Sequence, residues 1–156
     1  MSEQQLRSLI ERASHFAETM MLLEGSVAPI WHMTTRGGEE IIELMPPCES
    51  KDDAMALIRS LMAICDVVRY VYFAEAWTLH YHATVDKPLP SKEEVERVAS
   101  KGLSNHPDRI EIVMFTAEDN EAGLISGHRR IIRDNGRPHL GPLEMLPSGT
   151  ISEGRM

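Results

Sequence analysis

The chain has 156 residues, 42% of them apolar and 26% charged, and its 16 lysines and arginines against 24 aspartates and glutamates leave a net charge of −8. A chain of this length can bury roughly 70% of the surface its unfolded form exposes, so one domain can form without disulfides or a metal to staple it. The composition excludes a fibrous repeat or a disordered polar chain, and the acidic balance argues against general binding to nucleic acid or to an anionic membrane, where affinity comes from counterions released by a basic surface.

Cys48 and Cys65 stand alone, outside any paired motif, which reads as free thiols in a reducing compartment. The opening MSEQQLRSLIERA lacks the basic and apolar regions of a signal peptide, and no apolar run approaches the ~18 residues of a membrane span. A cytoplasmic protein with no membrane contact is expected.

In chain order, Leu6, Leu9, Ile10, Ala13, Phe16, Ala17, Met20 and Leu23 recur at three- and four-residue spacing, predicting an amphipathic helix over 3–24 that Gly25 ends. VAPIWHMTT and EEIIELM, separated by Arg36-Gly37-Gly38, predict a β-hairpin, with Pro29 marking a sheet edge or a bulge. Ser50 followed by Asp53 opens a second helix to about Asp66, whose buried stripe is Met55, Ile58, Leu61, Met62 and Cys65. Met20 and Met21 are expected to fill gaps against Met55 and Met62 between the two helices. RYVYFAEAWTLHYHAT, residues 69–84, predicts a long strand. After the DKPLP loop, Ser91 with Glu94 caps a short charged surface helix that stops at Gly102.

Residues 109–119 and 122–134 read as paired strands around an Asp119-Asn120 reversal, and Asn135-Gly136 is a hairpin turn leading to a last edge strand over 137–146, broken at Gly141-Pro142. From Pro147 a frayed tail is expected, so one domain spans 1–146 and 147–156 trails it. The order α-β-β-α-β-(α)-β-β-β, joined by short reversals, predicts an α+β domain with a largely antiparallel sheet of five or six strands and helices packed on it, an order resembling PAS/GAF and profilin/roadblock-like architectures.

The long strand carries the candidate chemistry. Alternation puts Val71, Phe73, Glu75, Trp77 and Leu79 on one face and Tyr70, Tyr72, Ala74, Thr78, His80 and His82 on the other, so a carboxylate falls among large apolar side chains. A buried carboxylate must be paired, protonated or placed at a cavity. Arg129 is the expected partner across the sheet, since it shares a face with Ile125, Gly127 and Ile131, and Gly123 and Gly127 would leave room above the pair. If the tyrosine face were the core instead, Glu75 would point to solvent. His80 and His82 lie about 7 Å apart by strand rise, a spacing that metal sites use, but no third ligand follows them in sequence, so no metal and no cofactor is expected. Arg129, Arg130, Arg133 and Arg137 suit either a small anionic ligand or a charged edge strand. Ser126 lacks a nucleophile elbow, and neither cysteine has a basic neighbour in sequence to activate it, so no catalytic residue is assigned.

EAW at 75–77, HPDRIEIVMFTAED at 106–119 and LGPLE at 140–144 resemble a family of short proteins from proteobacterial genomes and their prophages, over about residues 40–145. Glu75, Trp77, His106, Asp108, Arg109, Glu118 and Asp119 match its recurring words. The family has no established activity, so the resemblance implies no catalytic role; it implies a phage or mobile-element setting, in which a binding role suits better than metabolism. The sequence therefore predicts a binding or protein-interaction module, with Glu75, Trp77, Arg129, His80 and His82 contacting a protein partner or a small anionic ligand. Tyr70 and Tyr72 would add contact area, and a homodimer would form through an exposed sheet or the first helix. The rival expectation is a small metal-dependent or Glu75-based hydrolase.

Overall fold

The computed structural model describes residues 3–79, 91–102, 107–134, 136–145 and 151–154. Helix α1 (Glu3–Glu24) is followed by strands β1 (Ile30–Thr35) and β2 (Glu40–Leu44), helix α2 (Lys51–Ile64), strand β3 (Val67–Leu79), helix α3 (Lys92–Lys101), and strands β4 (Ile110–Asp119), β5 (Gly123–Ile132), β6 (His139–Met145) and β7 (Ile151–Gly154). The fold is α+β. Six strands run in the order β2-β1-β3-β4-β5-β6, β7 also pairs with β3, and every pairing is antiparallel.

Local chemistry sets the element ends. Gly25 takes φ +75° after α1, the left-handed conformation that a side chain would resist, and its N–H donates to the Met21 carbonyl. Ser50 Oγ accepts the Asp53 N–H at the start of α2, and Ser91 Oγ accepts the Glu94 N–H at the start of α3. At the β4–β5 turn the Asp119 carboxylate accepts the N–H groups of Glu121 and Ala122.

Both faces of the sheet are used. On one, Leu6, Leu9, Ile10, Ala13, Ala17 and Met21 of α1 pack on Val71, Phe73, Val113, Phe115, Ala117, Ile131 and Leu140. On the other, Met55, Ile58, Leu61 and Met62 of α2 pack on Trp31, Met33, Ile41, Met45, Tyr70 and Tyr72. The methionines expected to bridge the helices therefore serve two separate cores, because the sheet lies between α1 and α2. Pro29 ends up just ahead of β1, which is interior; its carbonyl accepts the Met45 N–H.

Two further expectations change. β5 lies between β4 and β6, so its arginines do not form an edge, and β6 is the outer strand. Ile151–Gly154, inside the segment read as a tail, forms β7, which takes up the edge of β3 at Ala76–Leu79 beyond the point where β1 stops at Phe73.

What locates α1 is Arg129. Its side chain is 10% exposed and reaches from β5 to the helix: Nη1 donates to Ser14 Oγ at 3.2 Å, and Nη2 lies 3.1 Å from Glu18 Oε1. Nε donates to the Gly141 carbonyl at 2.6 Å, and Nη2 also reaches the Leu140 carbonyl at 3.4 Å. One planar cation thus ties β5, β6 and α1 together. A methyl group on Gly127, two residues earlier, would lie 3.1 Å from both the Glu144 carbonyl oxygen and the Met145 sulfur, so the space expected above Gly127 is filled by β6. Clamped in this way, α1 lies over β4, beside β3, β5 and β6, and makes no comparable contact with β1 or β2.

Arg129→Met should cost about 3 kcal/mol of unfolding free energy, because it strands buried carbonyls and the Ser14 hydroxyl, whereas Glu18→Gln, at a half-exposed carboxylate, should cost about 1 kcal/mol or less. Urea titrations of the two variants check this, and equal losses would contradict the clamp.

Candidate functional site

Both faces of β3 are covered, so the expected choice between them does not arise: Val71 and Phe73 are fully buried under α1 with Glu75 half-buried after them, while Tyr70 and Tyr72 pack under α2. Glu75 lies opposite Val113, and Val113 opposite Arg129, so the two expected partners occupy one row of the sheet with a valine between them. They do not form the expected pair. Arg129 is consumed by Ser14, Glu18 and the carbonyls of β6, because α1 brings a carboxylate closer to it than β3 does. The negative field of Glu75 acts on Arg133, whose guanidinium donates to Glu111 at 2.7 Å; that hydrogen bond is the main reason its protonated form is favoured further.

Trp77 sits opposite Glu111, half-buried, with the Arg109 guanidinium carbon 5.9 Å from its ring centroid. Glu75, Trp77, Arg109, Glu111 and Arg133 therefore form an alternating lattice of charges around one indole on the α1 side. Tyr72 is absorbed by the second core, 4.3 Å from the Trp31 ring, and burial raises its pKa. His80, His82 and His106 lie outside the described residues. Among the described residues, no three His, Cys, Asp or Glu side chains gather in a way that could hold a metal ion.

At the other end of β3, a cleft of about 220 Å³ is lined by Arg36, Val68, Arg69, Asp119, Asn120 and Glu121. It falls below the ~300 Å³ from which small-molecule sites begin. Both arginines are already neutralised, Arg36 by Asp66 at 2.9 Å and Arg69 by Asp119 at 3.4 Å, which makes the cleft a poor seat for an anion. Burial works to raise the Asp119 pKa, but the N–H groups of Glu121 and Ala122 and the Arg69 guanidinium outweigh it and hold the carboxyl below its usual value. Beside this cleft Tyr70 donates its hydroxyl to Glu118 at 2.7 Å. The two residues from the family-like motif here, Glu118 and Asp119, thus orient a phenol and close a turn.

The third region was not singled out from sequence. On the α1 side of the sheet β1 is covered, with Ile30 and Thr34 buried and His32 half-buried, so what stays open beyond the helix is the edge strand β2. Arg12, Phe16 and Leu23 lie along one flank of α1 at helical spacing, and that flank is fixed by the Arg12–Glu40 ion pair at 3.0 Å and by Phe16 set edge-on to Phe73 at 6.3 Å. Phe73 is opposite Ile30, and Ile30 opposite Leu44; Val71, His32 and Ile42 make the neighbouring row. Leu44 therefore extends the apolar row of the core outward to the sheet edge, and Ile42 lies beside it past half-buried His32; they are 58% and 53% exposed, and Phe16 on the flank of α1 is 44% exposed. This margin is an apolar surface that continues from the core and stays open among the described residues. Leu57 and Ile64, also exposed, lie two turns apart on α2 beside Arg59 and Ser60. The signal was present in sequence: EIIEL carries apolar residues on both faces, and only one of them can lie under α2. Comparison with protein-family models, with curated proteins and with solved structures found no match.

Tyr70 should ionise only near pH 12 instead of 10.0, first because it is partly buried and then because Glu118 accepts its proton in a hydrogen bond. Since the folded state holds this proton more tightly, the stabilisation is complete below about pH 10 and is lost as pH rises toward about 12. Ultraviolet titration of tyrosinate should show delayed ionisation that Tyr70→Phe removes in part; all tyrosines ionising together near pH 10 would contradict the Tyr70–Glu118 bond.

Proposed function

We propose that this chain is a cytoplasmic protein-interaction module whose contact surface is the margin between the flank of α1 and the edge strand β2, and that its ligand is a protein presenting an extended strand. The supporting observation is the continuity of Leu44 with the buried row Ile30–Phe73, with Ile42 exposed beside it on the same edge. Side chains of this size contribute roughly 1.5–3 kcal/mol each when fully buried, so covering what Phe16, Ile42 and Leu44 still expose supplies a few kcal/mol toward association. β2 adds a second element, since an edge strand offers main-chain donors and acceptors to an incoming strand. The mobile-element setting implied by the family resemblance suits such a role.

Glu75, expected to orient a polar group together with Arg129, and Trp77, expected to supply contact area, have a different part in this reading. With their arginine neighbours they keep the far end of the same sheet face charged, and so confine an apolar partner to the β2 side.

A photoreactive phenylalanine analogue placed at Ile42 or at Leu44 in cells should give discrete cross-linked adducts. The same analogue at Leu124, equally exposed at the β5 turn, should give none. Adducts absent from all three positions, or formed equally at Leu124, would contradict the assignment.

A further inference from the structure

The geometry of the β2 edge points to a second copy of this chain as its partner, and we propose that two copies pair β2 against β2, antiparallel, about a twofold axis through Ile42. This rests on the reading of the β2 margin as the contact surface and names what covers it.

The two outer strands of the six-strand path are built differently. β6 carries Pro142, which has no N–H to donate, within an irregularity that shifts its register against β5 between Arg129 and Ile131. Such features block the addition of another strand. β2 has no proline, pairs regularly with β1 from Glu40 to Leu44, and presents Ile42 and Leu44 on one face. It is bounded by the Gly37-Gly38 turn on one side and by Pro46-Pro47 on the other, so a partner strand can match about five residues and no more. An edge limited in this way favours a closed pair over an extending fibre.

Charge selects the register. Two identical antiparallel strands related by a twofold axis across the sheet must place that axis at a residue. With the axis at Ile42, Ile42 meets Ile42, Glu40 meets Leu44 and Ile41 meets Glu43, so all five residues pair and no carboxylate faces another. An axis at Ile41 sets Glu39 against Glu43 and leaves Leu44 over; an axis at Glu43 sets two carboxylates face to face. Like charges directly opposite destabilise a strand pair, and an axis at Leu44 would set Ile42 against Pro46, which has no N–H to donate, so the Ile42 register remains. The Glu40 carboxylate that would lie beside Leu44 of the second copy is already bound by Arg12 of its own chain. Because the axis stands perpendicular to the sheet, both α1 helices fall on the same side, and the four side chains Ile42 and Leu44 from each copy form one strip on that side.

The test uses the full chain with Cys48 and Cys65 replaced by serine, carrying either Ile42→Cys or Leu44→Cys, under mild oxidation. In the Ile42 register the two introduced thiols at position 42 are directly opposite, within disulfide reach, while those at position 44 are about 13 Å apart along the strands, so Ile42→Cys should give about tenfold more cross-linked dimer. Native mass spectrometry of the parent chain should show twice the 17.6 kDa subunit mass, and Ile42→Asp, which sets two carboxylates at the axis, should weaken the dimer about tenfold or more. A parent chain that stays monomeric at tens of micromolar, equal cross-linking from position 44, or a folded Ile42→Asp variant that dimerises like the parent would each overturn the proposal. Should the aspartate variant fail to fold, the cysteine pair still decides. A monomeric chain whose Ile42 nevertheless cross-links to a different protein in cells would remove the self-pairing and leave the interaction surface standing; no adduct at all would remove both.

Discussion

The position of one helix governs this molecule, and a single guanidinium sets that position. Arg129 is nearly buried, and a buried cation is tolerable only if its donors are met. They are met by the Ser14 hydroxyl, the Glu18 carboxylate and two carbonyls of β6, which fixes α1 over the β4–β6 half of the sheet. Had Arg129 bonded Glu75 in its own row, α1 would have lost its polar tie to β5 and β6 and been held there by apolar packing alone.

The off-centre helix has a structural cost that the rest of the fold meets only in part. On the opposite face, α2 covers β1 and β2 with Ile58 and its neighbours against Trp31 and Met33. On the α1 face, the apolar row Phe115–Phe73–Ile30–Leu44 ends in water at the edge strand. A monomeric soluble domain seldom leaves core rows open at a strand edge, and that is the physical reason for reading the margin as a contact surface. The two edges carry the same message, one interrupted by Pro142 and the other regular and short.

Much of the fold was legible in the sequence because its punctuation is local. Gly25, the Ser50–Asp53 and Ser91–Glu94 caps and the Asp119-Asn120 reversal each act within a few residues, and the alternation along Val71, Phe73 and Glu75 grouped those residues on one buried face but did not show that the tyrosine face is buried as well. Placing Glu75 and Arg129 on one face was also correct. Their pairing was not, since the competing carboxylate, Glu18, is 111 residues from Arg129 in the chain and becomes a neighbour only through helix docking, which periodicity does not encode. The same gap hid the margin: Phe16 belongs to the apolar stripe of α1 by spacing, yet it sits at the edge of the buried arc, and its exposure depends on where the helix lies. β7 escaped notice because ISEG has weak strand propensity and forms only against the free edge of β3.

The most direct test of this account is amide hydrogen exchange in the parent chain at submicromolar and at tens-of-micromolar concentration. Self-pairing predicts that exchange over residues 40–44 slows as concentration rises, while exchange along β6 does not change. Rates over 40–44 that are the same at both concentrations would contradict it.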